Sequence, residues 1–515
     1  MNRILPKFGS LLGSVLLSIT AGQAIADSRP DLTVAVTKNP SRLDPMAENS
    51  NVNARIMKNV LETLIYTDTQ DNGSLKPALA ESWQRIDGRT LELKLRKGVQ
   101  CHNGEAFDAE DVAFSLGPKR FLGEQAPGWG IARQYLGGLD KVEVIDSHKV
   151  HIRFKQEDPL IELRFANWMS EMICKDAYEV AGSWENWVKQ PVGTGPYQLA
   201  EVKHGDYIKL KAFEDYWGGK APVNSVTFKE VPEVAARIAG LKTDEYQIAT
   251  ELVPDQFKLL QDDPNIEITG GPIRNIRVII FDENHPQLKH PKMRQALSYA
   301  IDRQLIVDAL YDGRATVPNG LQMKVFGDLY INDHQGIQYN PEKAKQLLKE
   351  AGYNGEEISY RYLQDYYTGE VSTAEVLADM WRQVGINVKL ELKENWGQIE
   401  DAPDGRGIFN WSNGAEYPDP LGQIYRLYGP EGWFQHNNTY QSEDFNRWGE
   451  QLKGSNRDKR IEAMREMLEI YERQDPPGTY LHTLPMFYGV SSELQWIPTD
   501  SGYMDLSSRM LEIKH

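Results

Sequence analysis

Cysteine is nearly absent from this chain: Cys101 and Cys174 are the two among 515 residues. Their spacing is far too wide for a zinc knuckle. In an exported chain such a pair meets an oxidising compartment, so one disulfide and two buried thiols are both open. Positive charge is also in deficit. Lys and Arg number 57 against 74 Asp and Glu, a formal charge of −17. That balance argues against a nucleic-acid partner and against an anionic membrane surface. Long apolar runs are missing too. The one candidate, about Leu11 to Ile19, is shorter than the roughly 20 residues a membrane helix needs. Catalytic signatures are equally scarce. The chain has no G-x-S-x-G elbow, no H-E-x-x-H helix and no Walker loop. His285 and His290 are separated by Pro286, which argues against one helix presenting both to a metal. No catalytic residue, metal or cofactor is therefore expected. A secreted hydrolase is the remote alternative, because 74 acids leave room for a pair of facing carboxylates.

What is present begins with Arg3 and Lys7, the short apolar run, and Ala24-Ile25-Ala26 before Asp27. Positive flank, apolar core and an A-x-A site read as a cleaved secretory signal over residues 1–26. With no cysteine near that site, no lipid anchor is expected, and the mature chain is expected to be free in the periplasm. Its 489 residues suit two or three domains. Along it, period-two runs such as Leu91–Leu95 and the pair split at Asp146-Ser147-His148 predict strands. Helical spacing marks Arg55–Ile65, Ala235–Leu241, Glu342–Ala351, Val371–Val384, Glu443–Leu452 and Arg457–Tyr471. Asp108 is a plausible N-cap, and Gly352 a C-terminal stop. Strands mixed with helices throughout predict an α/β class.

The densest motif is Pro191-Val192-Gly193-Thr194-Gly195-Pro196-Tyr197. Two prolines and two glycines in seven residues specify a tight loop. Six more blocks accompany it in order: Leu43-Asp44-Pro45 with Asn59–Leu64; Pro77-Ala78-Leu79-Ala80-Glu81-Ser82-Trp83; Lys97-Gly98-Val99 through Asp111-Val112; Pro291 through Asp302-Arg303; Asn340-Pro341 through Gly352-Tyr353; and Trp411 through Pro420. Together they resemble the peptide and nickel class of extracytoplasmic solute-binding proteins of ABC importers. Arg294 and Asp302 are expected to be a scaffold ion pair rather than ligand contacts.

The resemblance implies a two-lobe periplasmic binding fold with a hinge of two crossovers. Lobe I is expected at 27–284 plus 484–515, with an extra subdomain at about 75–190, and lobe II at 285–483. It also implies an oligopeptide or peptide-like ligand, delivered by a monomer to a membrane permease; a sugar, sugar-phosphate or opine is the alternative. In peptide-binding members an aspartate of the Trp411–Pro420 block pairs with the ligand ammonium; here Glu416 stands there. Trp411, Asn413, Tyr417 and Asp419 share that block, and an extended backbone would put Trp411 and Asn413 on one face. Tyr366, Tyr367 and Trp396 offer flat apolar area with polar tips, and Lys324 a cation for an anionic group.

Overall fold

The computed structural model describes residues 29–46, 50–71, 73–364, 366–402 and 405–514. The expected signal segment, 1–26, lies outside them. One mixed sheet of ten strands organises the molecule. Its order is Val388–Lys393, Ile358–Leu363, Ile408–Gly414, Ile266–Phe281, Gly478–Ser491, Ile248–Ala249, Asp31–Val36, Ser225–Glu230, Tyr207–Ala212 and Tyr197–Lys203. The two long central strands pair with each other antiparallel and belong to both halves of the sheet. Ile266–Pro272 lies against Pro485–Ser491, and Ile276–Ile280 against Gly478–Thr483. The ladder is interrupted between Pro272 and Ile276, where proline removes a donor.

Helices cover both halves, giving the expected two-lobe α/β architecture. The apolar face of Ile276, Val278 and Ile280 builds one core of the second half; Ile279 and Phe281, pointing the other way, build another. From Asn275 on, the strand Ile266–Phe281 also pairs with Ile408–Gly414, Ile276 lying opposite Asn413. Gly270, Gly271 and Pro272 lie inside this one strand.

Between the first two strands of the sheet the chain leaves to form a separate four-stranded antiparallel sheet. Its order is Ala80–Asp87, Thr90–Leu95, Lys149–Phe154 and Leu139–Asp146. Leu91, Leu93, Val150 and Ile152 alternate into a core of its own. Cys101 and Cys174 are joined there as a disulfide, Cα atoms 6.4 Å apart, within the ordinary range. Asp108 caps the helix Ala109–Ser115 through a capping box with Asp111.

The Pro191–Tyr197 loop is structural. A Cβ on Gly193 would lie 2.3 Å from the Val60 carbonyl oxygen, and one on Gly195 2.6 Å from that of Asn59. Thr194 donates to Glu62 at 2.9 Å, and His102 spans the loop, accepting from the Gly193 N–H and bonding the Gly195 carbonyl. This docking ends the helix expected over Arg55–Ile65 early. It runs Asn51–Met57, after which Val60 O accepts from Gly195 N–H instead of a helical donor. Arg294 and Asp302 do not pair with each other. Arg294 meets Asp475 and Glu283, while Asp302 caps the helix Arg303–Tyr311.

Candidate functional site

A cavity of about 440 Å³ lies between the two halves, inside the range of ligand pockets. The strand Ile408–Gly414 supplies its floor. Pairing with Ile276–Phe281 sets Trp411 at the cavity, where its ring packs 5.0 Å from Trp396 and 4.9 Å from Trp433. Tyr366 continues the aromatic wall, 5.2 Å from Trp396 and 4.8 Å from Tyr367.

The Tyr366-Tyr367 loop is held from behind by Glu370. Its carboxylate accepts from the backbone N–H groups of Leu363 and Tyr367, both at 3.1 Å, and from Asn410 at 2.7 Å. Buried Arg277 balances that charge at 3.7 Å and lies 3.6 Å over the Tyr367 ring. Burial pushes the Tyr367 hydroxyl up to about 12, so the ring meets a ligand uncharged.

Glu416 follows the floor strand and lines the same cavity. Its Oε2 accepts from Tyr503 at 3.2 Å, and its Oε1 lies 3.7 Å from Arg426 Nη2. Arg426 sits on the short helix Ile424–Tyr428 and donates to the Tyr135 hydroxyl at 2.9 Å. Tyr135 belongs to the small subdomain, on the opposite side of the cavity. A second contact runs the other way: Arg164 of the subdomain donates to the Tyr417 hydroxyl at 3.0 Å. Each side thus lends a tyrosine to the other's arginine. At the rim, Arg133 reaches Glu431 at 3.1 Å.

The structure therefore gathers Glu416, Trp411, Tyr366, Tyr367 and Trp396 on one cavity wall. Asn413, Tyr417, Asp419 and Lys324 lie elsewhere. Asn413 is on the Trp411 side of the strand, but it is fully buried beneath the floor. Tyr417 is engaged by Arg164. Asp419 accepts two bonds from Arg460, each 2.7 Å, and caps the turn Pro420–Gly422. Lys324 is exposed on the short helix Lys324–Leu329. Tyr135, Asn275, Arg426 and Trp433 also line the cavity and were not singled out from the sequence. Trp433 and Arg426 follow the Trp411–Pro420 block closely enough to have been suspected; Tyr135 comes from a distant subdomain and carried no local signal.

With this geometry in view, comparison with known proteins is decisive at the family level. Residues 74–435 match the bacterial extracellular solute-binding proteins, family 5. The chain belongs to that family. It is a solute-binding protein, and no helix among the described residues is long and apolar enough to cross a membrane. Among curated relatives, the dipeptide-binding protein of Escherichia coli is 30% identical over 372 residues, 67% of this chain and 68% of the relative. The glutathione-binding protein GsiB of Shigella flexneri is 30% identical over 410 residues, 79% and 77% of the two chains. The fold matches a dipeptide-binding protein from Pseudoalteromonas in complex with Met-Leu, with a TM-score of 0.85 at 20% identity over 94% of this chain and all of that one. It also matches the periplasmic binding protein DppA of Helicobacter pylori in complex with the peptide STSA. There the TM-score is 0.83 at 22% identity, covering 95% and 99%.

Proposed function

We propose that this protein captures a short peptide or peptide-like solute between its lobes and presents it to the permease of an ABC importer. The observation that carries the reading is Glu416. It is a carboxylate only 14% exposed, on the wall of a cavity that aromatic rings otherwise line. A cationic ligand group beside it makes a charge-assisted hydrogen bond, stronger than a neutral one. Trp411, Trp396, Tyr366 and Trp433 offer apolar surface for side chains without demanding one sequence. The Arg426 guanidinium at the same wall suits a ligand that carries both signs of charge.

Lobe I is taken as about 27–284 with 484–515, lobe II as 285–483, and the extra subdomain as about 75–190, the lobes moving about the paired central strands. The protein works as a periplasmic monomer released from its signal segment, with binding and release rather than a catalytic step as its task. Closing of the lobes buries the ligand, whose polar groups must then find partners in the wall.

Native mass spectrometry of the protein purified from the periplasm without refolding tests this reading. Peptide masses released from the folded protein are the expected result. A sugar or opine mass in their place overturns the peptide assignment.

A further inference from the structure

Asn275 carries a polar atom that nothing in the fold answers. It lines the main cavity while only 8% exposed, and among the described residues its Oδ1 has no hydrogen-bond partner. Its other end is fixed. Nδ2 donates to Ser412 Oγ at 3.1 Å, and Ser412 is itself a hydrogen-bond partner of Tyr367. The amide is thereby held with its carbonyl end free. A buried acceptor left in this way costs the desolvation of the group unless a donor meets it.

That acceptor stands beside the binding charge. Asn275 lies opposite Gly414 across the sheet. A Cβ on Gly414 would lie 3.2 Å from Glu416 Oε1 and 3.6 Å from Asn275 Nδ2, so the carboxylate and the amide flank one glycine. The two acceptors ask for different things. Glu416 attracts a cation however many hydrogens it carries, whereas Asn275 Oδ1 is satisfied only by a donor. Space does not limit the group placed here. An adjoining cavity of about 70 Å³ shares Asn275, Gly414 and Glu416 in its wall, on the order of two water molecules' share of the liquid (~30 Å³ each).

We infer that Asn275 is a specificity residue that sets how many N–H groups the ligand's amino terminus must offer. Glu416 takes the charge and one N–H of the ammonium, and Asn275 Oδ1 accepts a second. A terminus with two or three N–H groups satisfies both acceptors. A cationic terminus with a single N–H satisfies Glu416 and leaves Oδ1 buried and unpaired. The inference rests on the peptide reading above.

Titration calorimetry with Ala-Ala and its N-methyl and N,N-dimethyl derivatives tests it on the full protein. All three ligands keep the charge, while their N–H groups fall from three to two to one. The wild type is expected to bind the first two within about three-fold of each other and the dimethyl ligand roughly ten-fold or more weaker. Asn275→Leu, close in size but without an acceptor, should bring all three within about three-fold. Asn275→Asp, which keeps an acceptor, should keep the step and show that the site tolerates change. If the wild type binds Ala-Ala and the dimethyl ligand alike, or loses affinity evenly with each methyl group, the inference falls and the peptide reading stands. A step that survives in Asn275→Leu reports crowding rather than an acceptor and also overturns it. If Ala-Ala does not bind the wild type, the peptide reading fails, and the inference with it.

Discussion

At the scale of single residues, Glu416 shows how a binding charge is kept inside a protein. Tyr503 and Arg426 hold the carboxylate in place without enclosing it, so a face remains toward the cavity. Removing that charge while keeping its shape is the sharpest test of its role. Glu416→Gln is expected to weaken peptide binding by about 2 kcal/mol, roughly thirty-fold, in calorimetry, with little change in melting temperature. His102 shows the opposite case, a titratable group kept neutral. One ring nitrogen accepts from Gly193 N–H and the other bonds the Gly195 carbonyl, so a second proton has no place to go. Burial holds its pKa down at about 4. The unfolded chain binds that proton first as pH falls below about 6.5, so stability is present above that value and is lost progressively toward pH 4. Denaturant melts at several pH values should show this loss, on the order of 1–3 kcal/mol, and His102→Gln should flatten it.

At the scale of elements, the Pro191–Tyr197 loop and the disulfide both fasten the region that carries Tyr135. Gly195→Ala would push a Cβ onto the carbonyls of Asn59 and Val60, 2.6 and 2.8 Å away, and backbone there cannot step aside. A loss of about 2 kcal/mol or more is expected in thermal or denaturant melts. The Cys101–Cys174 bond closes a loop of 73 residues. Replacing both cysteines by serine should lower stability by about 2–5 kcal/mol, with the four-stranded sheet the first part to open in hydrogen exchange.

These elements also mark where the sequence was legible. Glycine and proline signals, caps and period-two alternation gave Thr90–Leu95, Ala109–Ser115 and Pro341–Ala351 their types, because each is decided by residues within itself. The Trp411–Pro420 block was recognisable as a unit, but its register was not. Whether Trp411 or Asn413 met the cavity depended on what covered the strand. The helix expected over Arg55–Ile65 failed for a related reason: a loop more than a hundred residues away takes its carbonyls. Arg426 and Tyr135 escaped notice because they matter only as a pair across the cleft.

At the scale of the whole molecule, the two halves share one sheet through two strands, and its ladder is broken between Pro272 and Ile276. Bending concentrates where these two strands stop pairing, although Arg274 N–H there bonds the Asp500 carbonyl and Asn275 pairs with Gly414 instead. Amide exchange should accordingly be faster at Ile273 than in the flanking runs, with ligand narrowing the difference. The contacts Arg164–Tyr417 and Arg426–Tyr135 span the cleft. Replacing both Tyr135 and Tyr417 by phenylalanine is expected to speed ligand release by roughly ten-fold in stopped-flow measurements, in line with the value of hydrogen bonds to charged groups. The melting temperature should move little.

That pair of contacts has a consequence for the fluid in which the protein works. Both are made by a buried guanidinium and an uncharged phenol, and the exposed ion pair at the rim, Arg133–Glu431, is the part that dissolved salt can screen. Those two contacts across the cleft are thus nearly blind to salinity, whereas the rim pair loosens as the surroundings grow briny.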